Sequence, residues 1–300
     1  DVEPDRIIVT SGASGAFLIA AGTLVGPGDE WLMPDPCYPC NRHFVRMFEG
    51  VPKPIASGPE RHYQLDRADV AAHWGERTRG VMIASPSNPT GTVVPDAALE
   101  GIVAETRARG GHLVVDEIYQ GLTYGGPHHP TALRLGTDLF VVNSFSKYFN
   151  MTGWRLGWLV APAGSVGEIE RLAQNAYICP SAPAQAAALA AFHPETIAVL
   201  EARRAEFQRR RDFLVPALRG LGFEIPLLPE GAFYVYADCS RLAPDSEQFA
   251  LEALERAGVA ITPGRDFGSF RAERHVRFAY TRSMRDLEEG VERLGKLLRP

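Results

Sequence analysis

Leu139-Phe140-Val141-Val142-Asn143-Ser144-Phe145-Ser146-Lys147 runs from four apolar residues directly into a polar loop that ends on a lysine. A short apolar run bounded by turn residues reads as a strand buried on both faces. The same pattern recurs upstream. Ile7–Thr10 leads into Ser11-Gly12-Ala13-Ser14-Gly15, 81–84 leads into a Pro/Asn-rich turn ending at Gly91, and 112–115 leads into Asp116. Residues 30–33 and 156–160 are further strand candidates, the former expected to be broken by Pro34 and Pro36. Helical periodicity fills the intervals, including 96–107 with Leu99, Ile102 and Val103 on one face. Apolar strands alternating with helices predict an α/β fold: a large domain with a mostly parallel sheet sandwiched by helices.

After about residue 165 the texture changes. The Ala-rich 181–191 and the charged 201–211 read as helices, followed by a strand at 233–236, a helix at 247–257, a strand at 276–279 and an amphipathic helix over 284–298. This mixture predicts a smaller α+β C-terminal domain, with 1–205 as the large unit and 206–300 as the small one. The chain shows no internal repeat or low-complexity segment.

The composition narrows the function classes. With 300 residues and a formal net charge of -5, the chain does not look like a nucleic-acid binder. It has no apolar run near the roughly 18 residues that a membrane span needs, and no secretory leader pattern, so a cytoplasmic protein is expected. Four cysteines are too few for a disulfide framework. Cys37-Tyr38-Pro39-Cys40 is read as a proline turn rather than a redox or zinc pair, because Cys179 and Cys239 supply no second pair; no metal site is expected. His128-His129 reads as loop surface. The opening Asp1-Val2-Glu3-Pro4 lacks a methionine and reads as though something upstream has been removed.

In an open parallel sheet, ligands collect beyond the carboxyl ends of the strands. The polar groups of this chain fall there. A Gly/Ser turn opening a helix offers backbone N–H groups and a positive dipole end to a phosphate. Arg155 can add a two-point contact to the same group, with Ser144 and Ser146 completing the cradle. Lys147, between these groups, could attack an aldehyde on the same molecule, since burial and a neighbouring cation favour its neutral amine. Taken singly, these residues have plainer readings: Gly12 and Gly15 a tight turn, Asp116 a helix cap, Tyr119 packing, Tyr38 a surface aromatic. Arg277 competes with Arg271, Arg274 and Arg282, and is preferred because it alternates with Val276 and Phe278 in a strand.

The segment from Ser144 through Lys147, Tyr148-Phe149-Asn150-Met151-Thr152-Gly153-Trp154 and Arg155 to Gly157 resembles the pyridoxal-phosphate lysine signature of class I/II aminotransferases, of the aspartate aminotransferase-like fold. Asn88-Pro89-Thr90-Gly91 and Asp116-Glu117-Ile118-Tyr119 are similar to two further motifs of that family, and the resemblance extends along essentially the whole chain. It implies pyridoxal 5'-phosphate as cofactor, amino-acid and 2-oxo-acid substrates, and a homodimer. Lys147 would form the Schiff base and shuttle the proton, and Asp116 would pair with the pyridine nitrogen. Tyr119 and Asn88 would bond the ring's phenolic oxygen, and Tyr38 would lie against the ring. Gly12, Ala13, Ser14, Ser144, Ser146 and Arg155 would hold the phosphate. Arg277, with Asn88 beside it, would bind the substrate carboxylate.

The sequence departs from the family pattern in two places. The arm and helix that usually precede the first strand, with a tyrosine that reaches the neighbouring subunit's phosphate, do not appear, so the chain reads as a fragment or an unusually short member. Residues 177–185, where dicarboxylate-specific relatives often carry an arginine, contain none, which favours neutral or aromatic amino acids. The alternatives kept open are a pyridoxal-phosphate lyase or decarboxylase of the same fold, and the aminotransferase-like sensor domain of a transcription regulator.

Overall fold

The computed structural model describes residues 2–126 and 129–299; Asp1 and His128, named above, lie outside them. Seven strands, β1 (Ile7–Thr10), β2 (Glu30–Asp35), β3 (Val51–Ala56), β4 (Thr78–Ala84), β5 (His112–Asp116), β6 (Phe140–Ser144) and β7 (Gly157–Val160), form one sheet in the order β1-β7-β6-β5-β4-β2-β3. The run from β3 to β6 is parallel, and β7 lies antiparallel to both β6 and β1. The helices are α1 (Gly12–Leu24), α2 (Pro39–Met47), α3 (Arg67–His73), α4 (Asp96–Ala108), α5 (Ala163–Ala176), α6 (Ala182–Ala190), α7 (Pro194–Gly220), α8 (Ser246–Ala257) and α9 (Met284–Leu298).

Strand alternation divides the large domain's core into two layers. Met82, Val114, Phe140 and Val142 face one side and pack with Phe17, Ile19 and Ala20 of α1 and Ile169 of α5. Val81, Ile83, Leu113, Val115 and Val141 face the other and meet Leu99, Ile102 and Val103 of α4. The expected sandwich is present, and the apolar runs are continuous because both faces are covered.

One strand expectation needs correction. Pro34 does not break β2. The pairing of β2 with β4 ends at Leu32, and Asp35 turns its carbonyl to the Ser57 N–H on the β3 side at 2.9 Å. Pro34 therefore faces the side that β4 has already left, where a missing N–H costs no ladder bond. β3, which is not among the strand candidates, is an edge strand, the position that tolerates its Pro52 and Pro54. Cys40 likewise belongs to the first turn of α2 rather than to a proline turn, with Pro39 at the position where a helix lacks N–H partners anyway. All four cysteines are unbridged.

A second sheet, β8 (Tyr234–Asp238), β9 (Thr262–Pro263) and β10 (His275–Ala279), has the order β8-β10-β9 and is antiparallel throughout. Val235, Ala237, Val276 and Phe278 bury one face against Leu214 and Leu218 of α7, Phe249 of α8 and Leu294 of α9. The expected division at 205/206 falls inside α7, whose later residues join this core. Asp35, buried at the end of β2, accepts hydrogen bonds from the Ser269 and Phe270 N–H groups and the Ser269 hydroxyl. It thereby ties the large sheet to the loop that leads into β10.

Candidate active site

One cavity of about 250 Å³ lies beyond the carboxyl ends of β4, β5 and β6. Ala13, Ser14, Tyr38, Asn88, Asp116, Tyr119, Ser146, Lys147, Arg155 and Arg277 all line it. Residues from both ends of the sequence meet here because a parallel sheet starts every crossover loop on the same edge. Of the sequence candidates, Gly12 and Ser144 do not line the wall. They sit directly behind it.

At one end of the cavity the first turn of α1 carries no acidic residue, and Ser11 makes no side-chain cap. Its leading N–H groups and positive dipole end are thus left for an anion. Ser146 stands opposite, its hydroxyl oxygen 2.9 Å from that of Ser144, which also lies 3.0 Å from the Leu156 carbonyl. Ser144 therefore orients Ser146. Gly157 lets β7 approach the start of α1: a Cβ there would lie 2.8 Å from the Gly12 carbonyl carbon and 2.9 Å from the Ala13 nitrogen.

Gly12 has φ +75°, and a Cβ on it would lie 2.7 Å from Nη2 of Arg155. The guanidinium lies over the glycine because no side chain is in its way. Gly12→Ala is expected to cost about 1–2 kcal/mol through its left-handed backbone, read by chemical denaturation. The Arg155 tip can swing aside, so the larger loss should be in anion binding, about tenfold, or about 1.4 kcal/mol. Phosphate or cofactor affinity that matched wild type would show that Arg155 does not depend on this approach.

The middle of the cavity holds the ionisable pair. Asp116 ends β5, is buried, and accepts the Ile118 N–H at 3.0 Å. Burial pushes its carboxyl up to about 7, against the pull of the Ile118 N–H and the Lys147 charge. Burial lowers Lys147 below the ordinary lysine range, with the neighbouring Asp116 opposing and Arg277 and Arg155 assisting. The Lys147 amine sits over the rings of Tyr119 and Phe233, 5.6 and 5.7 Å from their centroids. Tyr119 is held well above the usual phenol range, chiefly by burial. The shared cause is desolvation, which disfavours each charged form.

At the far end Arg277 points away from Val276 and Phe278, as its alternation predicts, and enters the cavity from β10. Nη1 donates to Asn88 Oδ1 at 2.9 Å and Nη2 to Thr262 Oγ1 at 3.2 Å. The guanidinium is flanked by the rings of Tyr234 at 4.3 Å and Phe267 at 4.8 Å. Each terminal nitrogen keeps a second N–H for a ligand. Tyr38 enters from the N-cap of α2, half-buried, with burial raising its phenol.

The sequence reading did not anticipate Tyr234, Phe17, Phe44 or Thr262. Phe17 and Phe44 stack at 5.5 Å and 12° on the large-domain side of the cavity. Tyr234 shares the wall, and its hydroxyl lies 2.7 Å from that of Tyr119. Alternation within Phe233-Tyr234-Val235-Tyr236 does put Tyr234 opposite the apolar face. The pairing of Tyr234 with Ala279, which sets it on the same face as Arg277, depends on a register that local sequence does not encode. Arg271, Arg274 and Arg282, the competitors of Arg277, do not line the cavity. His129 is half-buried, its carbonyl accepting from Gln120 Nε2 at 3.0 Å. Among the described residues there is no cluster that could hold a metal ion, and no helix is long and apolar enough to cross a membrane.

Comparison with known proteins agrees with the fold. The family model for aminotransferase class I and II matches residues 1–294. The chain is 40% identical over 298 residues to a valine–pyruvate aminotransferase of Mycobacterium tuberculosis, covering 99% of this chain and 76% of the relative. It is 34% identical over 299 residues to an aspartate/prephenate aminotransferase of Thermus thermophilus, with the same two coverages. The crystal structure of an aminotransferase from Mycobacterium tuberculosis superposes with a TM-score of 0.96 at 39% identity, over 99% of this chain and 77% of that one.

Proposed function

The chain belongs to the class I and II aminotransferases, and we propose that its cavity binds pyridoxal 5'-phosphate and a neutral amino acid, with Lys147 as the residue bonded to the cofactor and as the proton carrier. The enzyme moves an amino group from an amino acid to a 2-oxo acid, and members of this family use pyridoxal phosphate. The lyase, decarboxylase and sensor-domain readings are not favoured.

The observation that carries the residue assignment is the convergence of Lys147, Asp116, Arg155 and Arg277 on one cavity, each with a distinct set of surroundings. The donor set fits the cofactor. The uncapped start of α1, Ser146 and the Arg155 guanidinium over Gly12 suit a phosphate dianion. A buried Asp116 whose carboxyl is pushed up to about 7 suits a cationic ring N–H, the partner that would return it to its charged form. Tyr119 and Asn88 would donate to the ring oxygen, and Tyr38 would cover the ring face. The bound cofactor supplies an electron sink for the carbanion left when the substrate α-proton departs.

The chain's own residues do the rest. Arg277 would hold the substrate carboxylate through its two remaining terminal N–H groups, pre-aimed by Asn88 and Thr262. Lys147 Nζ, disposed to the neutral amine by burial, would take the α-proton and deliver it on the cofactor side. Among the described residues of this chain, the cations that line the cavity, Lys147, Arg155 and Arg277, then all have partners. Phe17, Phe44 and Ile118 supply apolar wall. This supports a neutral amino acid, as does the valine–pyruvate relative. A cytoplasmic homodimer completes the proposal.

The test is the visible absorbance of the purified protein with pyridoxal phosphate, followed through an amino acid and then a 2-oxo acid. A lysine-dependent band that is lost with valine and restored by pyruvate supports the reading. A wild-type protein without that band overturns it. Arg277→Lys keeps the charge but loses the fork, so kcat/KM should fall about 10–100-fold, mostly through KM for the amino acid. An unchanged KM would remove Arg277 from the carboxylate site.

A further inference from the structure

We propose that Tyr234 is a positioning residue that joins the two halves of the site: its ring supports Arg277 while its hydroxyl fixes the hydrogen-bond direction of Tyr119. The inference rests on the roles proposed above for Arg277 and Tyr119. Two contacts made by one side chain carry it. The Arg277 guanidinium carbon lies 4.3 Å from the Tyr234 ring centroid, and the Tyr234 and Tyr119 hydroxyl oxygens are 2.7 Å apart. Tyr119 and Tyr234 are both buried, and their rings meet edge-on at 5.7 Å and 79°.

The direction of that hydrogen bond decides what Tyr119 can do. Each hydroxyl has one proton, so if Tyr119 donates to Tyr234 it has none for the ligand. Arg277, always charged, lies 4.3 Å from the Tyr234 ring, whereas Lys147, disposed to the neutral amine by burial, lies 5.6 Å from that of Tyr119; the Tyr234 hydroxyl is thus the more acidic of the two and the better donor. Tyr234 therefore donates to Tyr119, and Tyr119 directs its own proton into the cavity. Binding of a carboxylate to Arg277 withdraws part of the positive charge from the Tyr234 ring and weakens that bias. Occupancy of the carboxylate site is thereby felt at Tyr119 through one aromatic ring, without any backbone movement.

The experiment uses the holoenzyme and two substitutions. Tyr234→Phe keeps the ring under Arg277 and removes the hydroxyl; Tyr234→Leu removes both. In Tyr234→Phe the amino-acid KM should stay within about twofold of wild type, kcat should fall about 5–30-fold, and the pH midpoint of the Lys147-dependent absorbance band should move by about half a unit or more. In Tyr234→Leu the KM should also rise, about five- to tenfold, as Arg277 loses its support. The pH midpoint is the reading that a merely structural role would not move. A cycle with Tyr119→Phe sharpens it: once Tyr119 has no hydroxyl, Tyr234→Phe should no longer shift the midpoint. A midpoint and kcat like wild type in Tyr234→Phe overturn the proposal, as does an equal shift with and without the Tyr119 hydroxyl. If Tyr234→Phe does not fold, the Tyr119→Phe protein alone decides, since an unshifted midpoint there leaves Tyr234 nothing to act through. A wild-type protein without a Lys147-dependent band would instead sink the function proposed above, so the two failures are distinguishable.

Discussion

Lys147→Ala is expected to abolish the lysine-dependent absorbance band and to lower the amino-transfer rate by on the order of 10⁴-fold or more. Two roles end with one side chain. The amine that would bond the cofactor is gone, and so is the base that would carry the α-proton, a step that by itself contributes about 10²–10⁴. The phosphate end of the cavity does not depend on Lys147, so cofactor binding should weaken by much less than the rate. Lys147→Arg separates charge from chemistry. Arginine keeps a cation near Asp116 but cannot lose its proton, so it should be as inactive as alanine while holding the site's charge balance. Spectra and single-turnover rates on both variants check this. An active arginine variant would mean that the lysine serves only as a charge, and that the proton moves through another group.

Much of this site could be read from one stretch of sequence, for a physical reason. A parallel sheet places the loop after each strand on the same edge, so Gly12, Asn88, Asp116 and Lys147 could be grouped by recognising that each follows an apolar run. Arg277 yielded to the same logic in its simplest form, since alternation with Val276 and Phe278 put it on the polar face of its strand. What stayed hidden was whatever depends on register or on exceptions to propensity. Tyr234 reaches Tyr119 because of how β8 sits against β10 and the large sheet. Thr262 meets Arg277 through a two-residue strand too short to leave a pattern. β3 was concealed by its prolines, which an edge strand accepts and a central strand does not. The roles given to Ser144 and Ser146 were read as one, yet only Ser146 reaches the cavity while Ser144 holds it from behind.

Asp116→Asn is the second substitution with a large expected effect, and its consequences should have opposite signs for activity and for stability. Asparagine keeps the shape of the side chain and an oxygen for the Ile118 N–H, but it is neutral. It cannot hold a proton on a cationic ring nitrogen, so kcat should fall about 10²–10³-fold, the scale of losing one preorganised electrostatic partner. For the cofactor-free protein the sign reverses. The folded carboxyl titrates at about 7, well above the roughly 3.9 of an exposed aspartate, so the folded state holds more protons between those values. The stability that Asp116 contributes is therefore fully present below roughly 3.9 and is lost progressively as pH rises to about 7. At pH 5, about one unit above the unfolded value, the wild type should melt only slightly below Asp116→Asn. At pH 8 the asparagine protein, with no buried charge to carry, should be the more stable by about 1–3 kcal/mol. Glu117, also pushed up to about 7 by burial, is present in both proteins and largely cancels in the difference. Adding the cofactor should then reverse the order at pH 8, because only the aspartate gains a cationic partner. Thermal melts of cofactor-free and cofactor-loaded protein at the two pH values are sufficient. An asparagine variant less stable than wild type in all four conditions would make Asp116 a structural acceptor and leave the ring nitrogen without its partner. The predicted reversal would instead identify a carboxylate kept at a cost to the cofactor-free fold for the sake of the charge it meets on binding.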